Sequence, residues 1–433
     1  MNHRKLIPVL RGLLLVVALP TAAAAQFATV TAPDGEADDS FGYAVAVSGP
    51  TLVSGAWQND SVRANAGAVY VYEQNGDGSA WEFSSKLIPD DDDFAGDQFG
   101  VAVAIDGDWL LAGAPFDDEA GNDRGAAYVF RRAAVGRAAW TQSSKLFADD
   151  GAFRDFFGSA VAISGNLLVV GSPEDDDLGT QSGSVYVFER NPGTEQWLQT
   201  AKLTAGNGER GDRFGSAVAI SGDTVLVGAA EHNHEGVNNQ GAAFVFRRTD
   251  SGWLEVATLA ASDGDELDQL GFSVAIDGDL ALVGAPFDDD PDHTGGAAYV
   301  FQRQPGSDVW LETDKLSALD AGLGDQFGFA VALGGGEALL GALNDDDSGE
   351  DAGAAYVFHR ELGGDSWNQV DKLTPMAGTA FDGAGFAVAL GDGLGVVGAP
   401  DHDPAAVDEA GAAFLFALPA PPSDDIFHDS YED

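Results

Sequence analysis

The sequence predicts an all-β protein: a seven-bladed β-propeller of four-stranded antiparallel blades, closed by the N-terminal strand completing blade 7. Three observations predict it. A glycine, preceded by Phe in five of seven cases, recurs at Gly42, Gly100, Gly158, Gly215, Gly271, Gly328 and Gly385, with spacings of 56 to 58 residues. A fixed period of this size marks a propeller or a solenoid. Each interval holds four short strand-like segments. The last interval lacks its fourth segment, and the opposite end of the chain supplies one.

The third unit shows the segments in order: FGSAVAIS (157–164), LLVVGSP (167–173), GSVYVFER (183–190) and WLQTAKLT (197–204). The first three are nearly continuous apolar runs, as expected of strands covered on both faces by stacked sheets. Ala160, Ala162 and Ser184 are small enough to let neighbouring sheets approach. Segments 1 and 2 are joined by DGD (106–108), SGN (164–166) or SGD (221–223), tight hairpin turns in which Gly supplies a positive φ. Four such strands repeated seven times describe a propeller.

The ends test this reading. After Gly385, strands 1 to 3 run to GAAFLF (411–416), and ALPAPP follows, which cannot continue a ladder because Pro has no N–H. QFATVTAPDG (26–35) aligns with SSKLFADDG (143–151); Val30 precedes Phe41 by eleven residues, as Leu146 precedes Phe157. A closed ring needs this split blade, and closure removes exposed strand edges. The expected organisation is therefore a signal peptide at 1–25, the propeller at 26–416, and a Pro-rich linker with an acidic tail at 417–433.

Composition narrows the chemistry. The 433 residues include 70 acidic and 21 basic side chains, for a formal charge of −49, and no Cys. Disulfides, thiolate nucleophiles and Cys-based zinc sites are excluded. Such a surface repels nucleic acid and anionic lipid and attracts cations and basic partners. Arg4, Lys5 and Arg11, the apolar run GLLLVVALP (12–20) and the small residues TAAAA (21–25) read as a secretory signal. The run is too short for a stable membrane anchor. A secreted, periplasmic or extracellular, monomer without membrane insertion is expected.

The repeating units carry FG and, about thirteen residues later, GAP: Phe99-Gly100 with Gly113-Ala114-Pro115, and Gly271 with Gly284-Ala285-Pro286. This resembles the FG-GAP repeat of the integrin α-subunit propeller, and most of all its bacterial branch of secreted proteins. The resemblance covers 26 to about 416. It implies a propeller with a binding or adhesion role. Integrin-type repeats often carry an Asp-rich calcium loop between FG and GAP. Here that connection is a tight turn without a D-x-D-x-D-G pattern, so those ligands are not transferred. Leu270 and Ala384 replace the Phe of FG, and GAW (55–57), GSP (171–173), GAA (228–230) and GAL (341–343) replace GAP.

Antiparallel alternation places the 2–3 and 4–1 loops on one side of the disc. They hold 45 of the 70 acidic residues, in stretches such as EDDDLG (174–179) and NDDDSGED (344–351). Arg131, Arg132, Arg137, Arg190, Arg247, Arg248, Arg303 and Arg360 lie at or near the 3–4 loops opposite. One acidic face and one mixed or basic face are expected. Crowding should raise some carboxylate pKa values, and a cation would relieve it. Ca²⁺ accepts oxygen ligands in flexible geometry, which makes Asp117, Asp118, Asp175, Asp176, Asp289 and Asp290 the candidate metal ligands; diffuse counterions are the alternative.

Other features have two readings. EHNHEG (231–236) groups His232, His234, Glu231 and Glu235 as a polar loop or a metal site. Trp81, Trp140, Trp197, Trp253, Trp310 and Trp367 open strand 4 as packing plugs between blades or as sugar-stacking platforms. Lys86, Lys145, Lys202, Lys315 and Lys372 are expected on an exposed outer edge, where Lys discourages strand addition. NGDGSAW (75–81) departs from an Asp box in spacing and does not recur. The tail PAPPSDDIFHDSYED (419–433) reads as disorder or as a sorting signal. No H-E-x-x-H, G-x-S-x-G or P-loop pattern occurs.

The expected function is a non-enzymatic binding or adhesion propeller engaging an extracellular protein or glycan through the acidic face, with Ca²⁺ as the candidate ion. The alternatives are a polysaccharide hydrolase or lyase with a site on the propeller axis, and a structural surface component.

Overall fold

The computed structural model describes residues 23–60, 62–90, 95–119, 123–133, 139–289, 295–376, 378–404 and 407–421. Most of the signal segment, Arg137, Asp290 and the tail from 422 onward lie outside the described residues. The chain forms seven four-stranded antiparallel sheets. In blade 3 the strands are Ala160–Ser164, Leu167–Ser172, Ser184–Arg190 and Trp197–Leu203, each paired with its sequence neighbour. Blade 7 joins Ala387–Gly391, Leu394–Ala399 and Ala412–Ala417 to Ala25–Val30, with Thr29 opposite Phe414 and Val30 opposite Ala413. The N-terminal strand therefore closes the ring. Among the described residues, no helix is long and apolar enough to cross a membrane.

Burial follows the position of each strand. Strand 2 of blade 3, LLVVGS, is buried along its whole length. Strand 1 lies innermost and is only partly covered, as in AVAIS of blade 4. The apolar clusters span neighbouring blades: Leu111 and Val129 of blade 2 pack with Leu168, Val170 and Tyr186 of blade 3. Each sheet buries an apolar face against the next, and the sum of these contacts holds the ring.

The recurring glycines are the contact points between blades. A Cβ on Gly113 would overlap the carbonyl oxygen of Gly158 in the next blade, and one on Gly398 of blade 7 would overlap that of Gly42 in blade 1. Gly158 has φ 101°, open to glycine and strained for other residues. That conformation also corrects the expected start of strand 1: the ladder begins at Ala160, beyond the turn, and not at Phe157. Phe157 forms an isolated bridge with Gly125 of the preceding blade. Its ring packs edge-on against Tyr186 and Phe188, at 5.5 and 6.0 Å. Leu270 and Ala384 take the same bridge position where Phe is replaced.

Candidate functional site on the carboxylate face and the axial mouth

Five blades carry one repeated clamp. In blade 3, Lys202 Nζ lies 2.9 Å from Asp150, 2.9 Å from Asp175 and 2.5 Å from Asp177. Tyr186 OH lies 2.9 Å from a carboxylate oxygen of both Asp150 and Asp175, within donating reach of either. Lys315 in blade 5 pairs with Asp263 and Asp288, and Lys372 in blade 6 with Asp320, Asp345 and Asp347. Lys145 in blade 2 pairs with Asp117 and Glu119. In blade 1, Asn59 replaces the buried Asp and accepts from Lys86, which also pairs with Asp34. The expectation of outer-edge lysines is thus corrected. They are 13 to 18% exposed and reach under the loops, because each stem crosses a strand 3 tyrosine, with Nζ 5.1 to 5.2 Å from the ring centroid.

The proposed metal ligands divide accordingly. Asp117 and Asp175 are buried and engaged by Lys and Tyr, while Asp118, Asp176 and Asp289 are exposed at the loop surface. Asp176 accepts from Gln181 N at 2.8 Å. In blade 5 the residue equivalent to Asp175 is Asp288, one position before the expected pair. Among the described residues, no group of three or more His, Asp and Glu side chains could hold a metal ion. In the clamped blades the lysine ammonium is the cation at the convergence of carboxylates.

Blades 4 and 7 replace the whole clamp. Phe244, His232 and Thr258 stand for Tyr, Asp and Lys in blade 4; Phe414, His402 and Thr29 do so in blade 7. His232 Nδ1 lies 2.9 Å from Asp212, and its Nε2 lies 3.2 Å from Asn207 Nδ2. Both ring nitrogens of His232 are thus engaged inside the fold, which leaves EHNHEG as a structural loop at this position. His402 Nδ1 pairs with Asp382 at 3.0 Å.

A second set of carboxylates went unread in the sequence. The Asp two residues before each FG-type Phe, including Asp39, Asp155, Asp212, Asp268, Asp325 and Asp382, is buried. Each of these caps its own 4–1 loop by accepting the backbone N–H three residues earlier, as Asp268 does from Asp265 at 2.6 Å. The recurrence of D-x-F-G was the available signal. Burial raises the Asp268 carboxyl to about 6; the bond from Asp265 opposes this, and Asp288 adds to it. Asp39, Asp155 and Asp325 are raised by burial as well. Asp382 is lowered: burial raises it, but the bonds from His402 and Thr379 outweigh that effect.

The axis carries a different surface. The residue after each FG-type Gly sits where strand 1 begins, at the acidic end of the channel. In blades 5, 6, 7 and 1 it is Phe272, Phe329, Phe386 and Tyr43, and in blades 2, 3 and 4 Val101, Ser159 and Ser216. Phe272 and Phe329 lie 4.9 Å apart, Phe329 and Phe386 5.2 Å, and Phe386 and Tyr43 4.6 Å. Trp57 extends the arc beyond Tyr43, and Phe287 extends it beyond Phe272. The four central rings are half-buried. Six aromatic rings thus run in tilted and edge-on contact around one side of the axial mouth, while the equivalent positions of blades 2, 3 and 4 carry small side chains.

A model of the FG-GAP repeat matches residues 25–72, 81–130, 140–188, 197–246, 253–301, 310–358 and 367–416. The chain belongs to the FG-GAP repeat family. No curated protein matches it. Each FG-GAP unit starts in strand 4 of one blade and ends in strand 3 of the next, so repeat and blade are one strand out of phase. Seven units in this phase leave strand 4 of the first unit to pair with strand 3 of the last, which is the observed closure.

The other face of this FG-GAP propeller is tied by arginine. Arg248 pairs with Glu189 of the preceding blade at 2.6 Å, and Arg132 with Glu73 at 3.0 Å. Arg190 lies over the ring of Trp109, 4.8 Å from its centroid. Trp140, Trp197, Trp310 and Trp367 are buried, which favours the packing reading over sugar stacking.

Proposed function

We propose that this FG-GAP propeller is an exported, non-enzymatic binding module that seats a basic segment of a protein partner on the aromatic arc at its acidic axial mouth. The arc carries the proposal. Aromatic faces attract ammonium and guanidinium groups, and the surrounding carboxylate loops raise the local concentration of a basic partner. Apolar exposure points to the same face. Among the described residues, nine of the sixteen exposed large apolar side chains lie in the 2–3 and 4–1 loops, including Phe153, Leu267 and Phe381, against two in the 3–4 loops. Calcium has a smaller place in this reading, because lysines already neutralise the buried 2–3 loop carboxylates Asp117, Asp175, Asp288 and Asp345.

The test is binding of immobilised Lys/Arg-rich peptides, Glu-rich peptides and neutral glycans to wild type and to Phe329→Ala and Phe386→Ala variants, at two salt concentrations. Basic peptides should bind, with affinity falling as salt rises and falling at least tenfold in the variants. Equal binding of all ligands, or variants that bind as wild type does, would reject the proposal.

A further inference from the structure

On the face opposite the carboxylates, the 1–2 turns are tied to one another in sequence. Gly107 N donates to Ser48 Oγ at 3.1 Å, Gly165 N to Asp106 at 2.7 Å, and Gly222 N to Ser164 at 3.3 Å. Gly278 N donates to Ser221 at 3.1 Å and Gly335 N to Asp277 at 3.0 Å. The series then stops. The next acceptor positions are Gly334 and Gly391, which have no side chain to offer Asp392 N or Gly49 N. Both gaps flank blade 7.

Blade 7 lacks two further ties. Its clamp position holds Thr29 and no lysine. Its fourth strand, Ala25–Val30, is preceded by Ala24 at the position held by Trp in the other six blades. That strand has one buried residue, Val30, whereas Trp197–Leu203 buries both of its ends. Blade 4 lacks the lysine but keeps its turn tie and Trp253, so blade 7 alone lacks all three. Cavities of about 360 and 440 Å³ meet at Gly335 and Pro421 beside the gap between blades 6 and 7. A third, of about 180 Å³, is lined by Thr31, Pro33, Val407 and Ala410 where the clasp strand leaves the sheet. What retains the strand is its ladder to Ala412–Ala417, the packing of Val30 among Tyr70, Tyr72 and Leu394, the bond that Tyr72 OH donates to Thr31 O just beyond it, and two outer contacts, Ala24 N to Asp371 and Met376 N to Gln26.

We propose that Ala25–Val30 is a detachable clasp: it leaves Ala412–Ala417 while the other six blades stay folded, and the opened edge takes up the same strand from a second copy of the chain. The edge selects its occupant by register and side-chain pattern. Ala412–Ala417 is an apolar strand, and the Ala25–Val30 sequence is the one whose Thr29 and Val30 already match Phe414 and Ala413. On the acidic side the Gly398–Gly42 contact still holds blade 7 against blade 1, which confines the opening to the outer strand.

Hydrogen exchange on the full chain tests the opening. Amides in 25–30 and 412–417 should exchange at least tenfold faster than those in 197–203 and 184–190. Gly334→Ser with Gly391→Ser, which supplies the missing acceptors, should reduce that ratio to within threefold. A labelled peptide of residues 26–32 should bind the full chain slowly. It should not bind a Val30→Cys/Ala413→Cys variant after oxidation, whose new residues face each other across the ladder. Equal exchange across the blades overturns the clasp. Fast exchange in blade 7 without peptide uptake overturns the capture of a second strand.

Discussion

Lys202 Nζ lies 2.9 Å from Oδ2 of Asp175, a carboxylate that is 2% exposed. Removing the cation from a buried pair leaves an uncompensated charge, costing about 3 kcal/mol. Lys202→Met is expected to lower the unfolding free energy, measured in urea, by that amount. It also leaves Asp150, Asp175 and Asp177 converging on one vacated point. Millimolar Ca²⁺ should then restore part of the loss, whereas wild type should melt at the same temperature with calcium or with chelator. A calcium-dependent wild type would show that the lysines do not complete the neutralisation.

The ring was legible because its determinants are local. A glycine that must admit a neighbouring carbonyl, as Gly113 does for Gly158, leaves a mark no other residue can replace. The lysine clamp was misplaced for the opposite reason. Strand alternation says which face a side chain leaves from, but not where a four-carbon stem ends. Covariation inside the chain held the answer: the blades with Phe244 and Phe414 in place of Tyr are the two whose strand 4 carries Thr in place of Lys, and the two whose loop carries His232 or His402 in place of the clamp Asp. The aromatic arc was hidden because Phe272, Phe329 and Phe386 lie 57 residues apart and meet only when blades stack, while Tyr43 joins Phe386 only when the ring closes.

Asp268 sets a pH dependence of known sign. Its folded value is about 6 and its unfolded value about 4, so the folded state holds more protons between those values. Stability contributed by this group is therefore present at low pH and is lost as pH rises through 4 to 6. Discounted for screening, the loss is about 1–2 kcal/mol. Asp268→Asn, whose amide oxygen can still accept from Asp265 N, should stabilise the protein by that amount at pH 8 and be neutral near pH 4. Asp150 works in the other direction. Burial raises it, but bonds from Lys202 and Tyr186 hold it below the usual value, so its contribution is lost only in stronger acid.

The glycine contacts allow a paired comparison. Gly113→Ala would place a methyl against the backbone of the next blade, which cannot move without shifting the ring. A loss of at least about 3 kcal/mol is expected in urea unfolding. Gly107, in a 1–2 turn with φ 57°, has no heavy atom near its missing Cβ. Gly107→Ala should cost about 1 kcal/mol from backbone strain alone. Equal losses would mean that the Gly113–Gly158 contact is not the reason for the motif.

Blade 4 permits a constructive test of the clamp. His232→Asp alone would set a second carboxylate beside Asp212 with no cation in reach, and Thr258→Lys alone would set an ammonium beside His232 without its acceptor. Phe244→Tyr alone would bury a hydroxyl against His232, whose ring centroid is 5.4 Å away. Each single change is expected to destabilise. Together they rebuild the arrangement of Tyr186, Asp175 and Lys202, with Asn207 in the place of Asp150. The triple variant should therefore be more stable than the sum of its parts by at least about 2 kcal/mol in a mutant cycle followed by urea unfolding. Additive losses would mean that the five natural clamps are coincident ion pairs and not a cooperative unit.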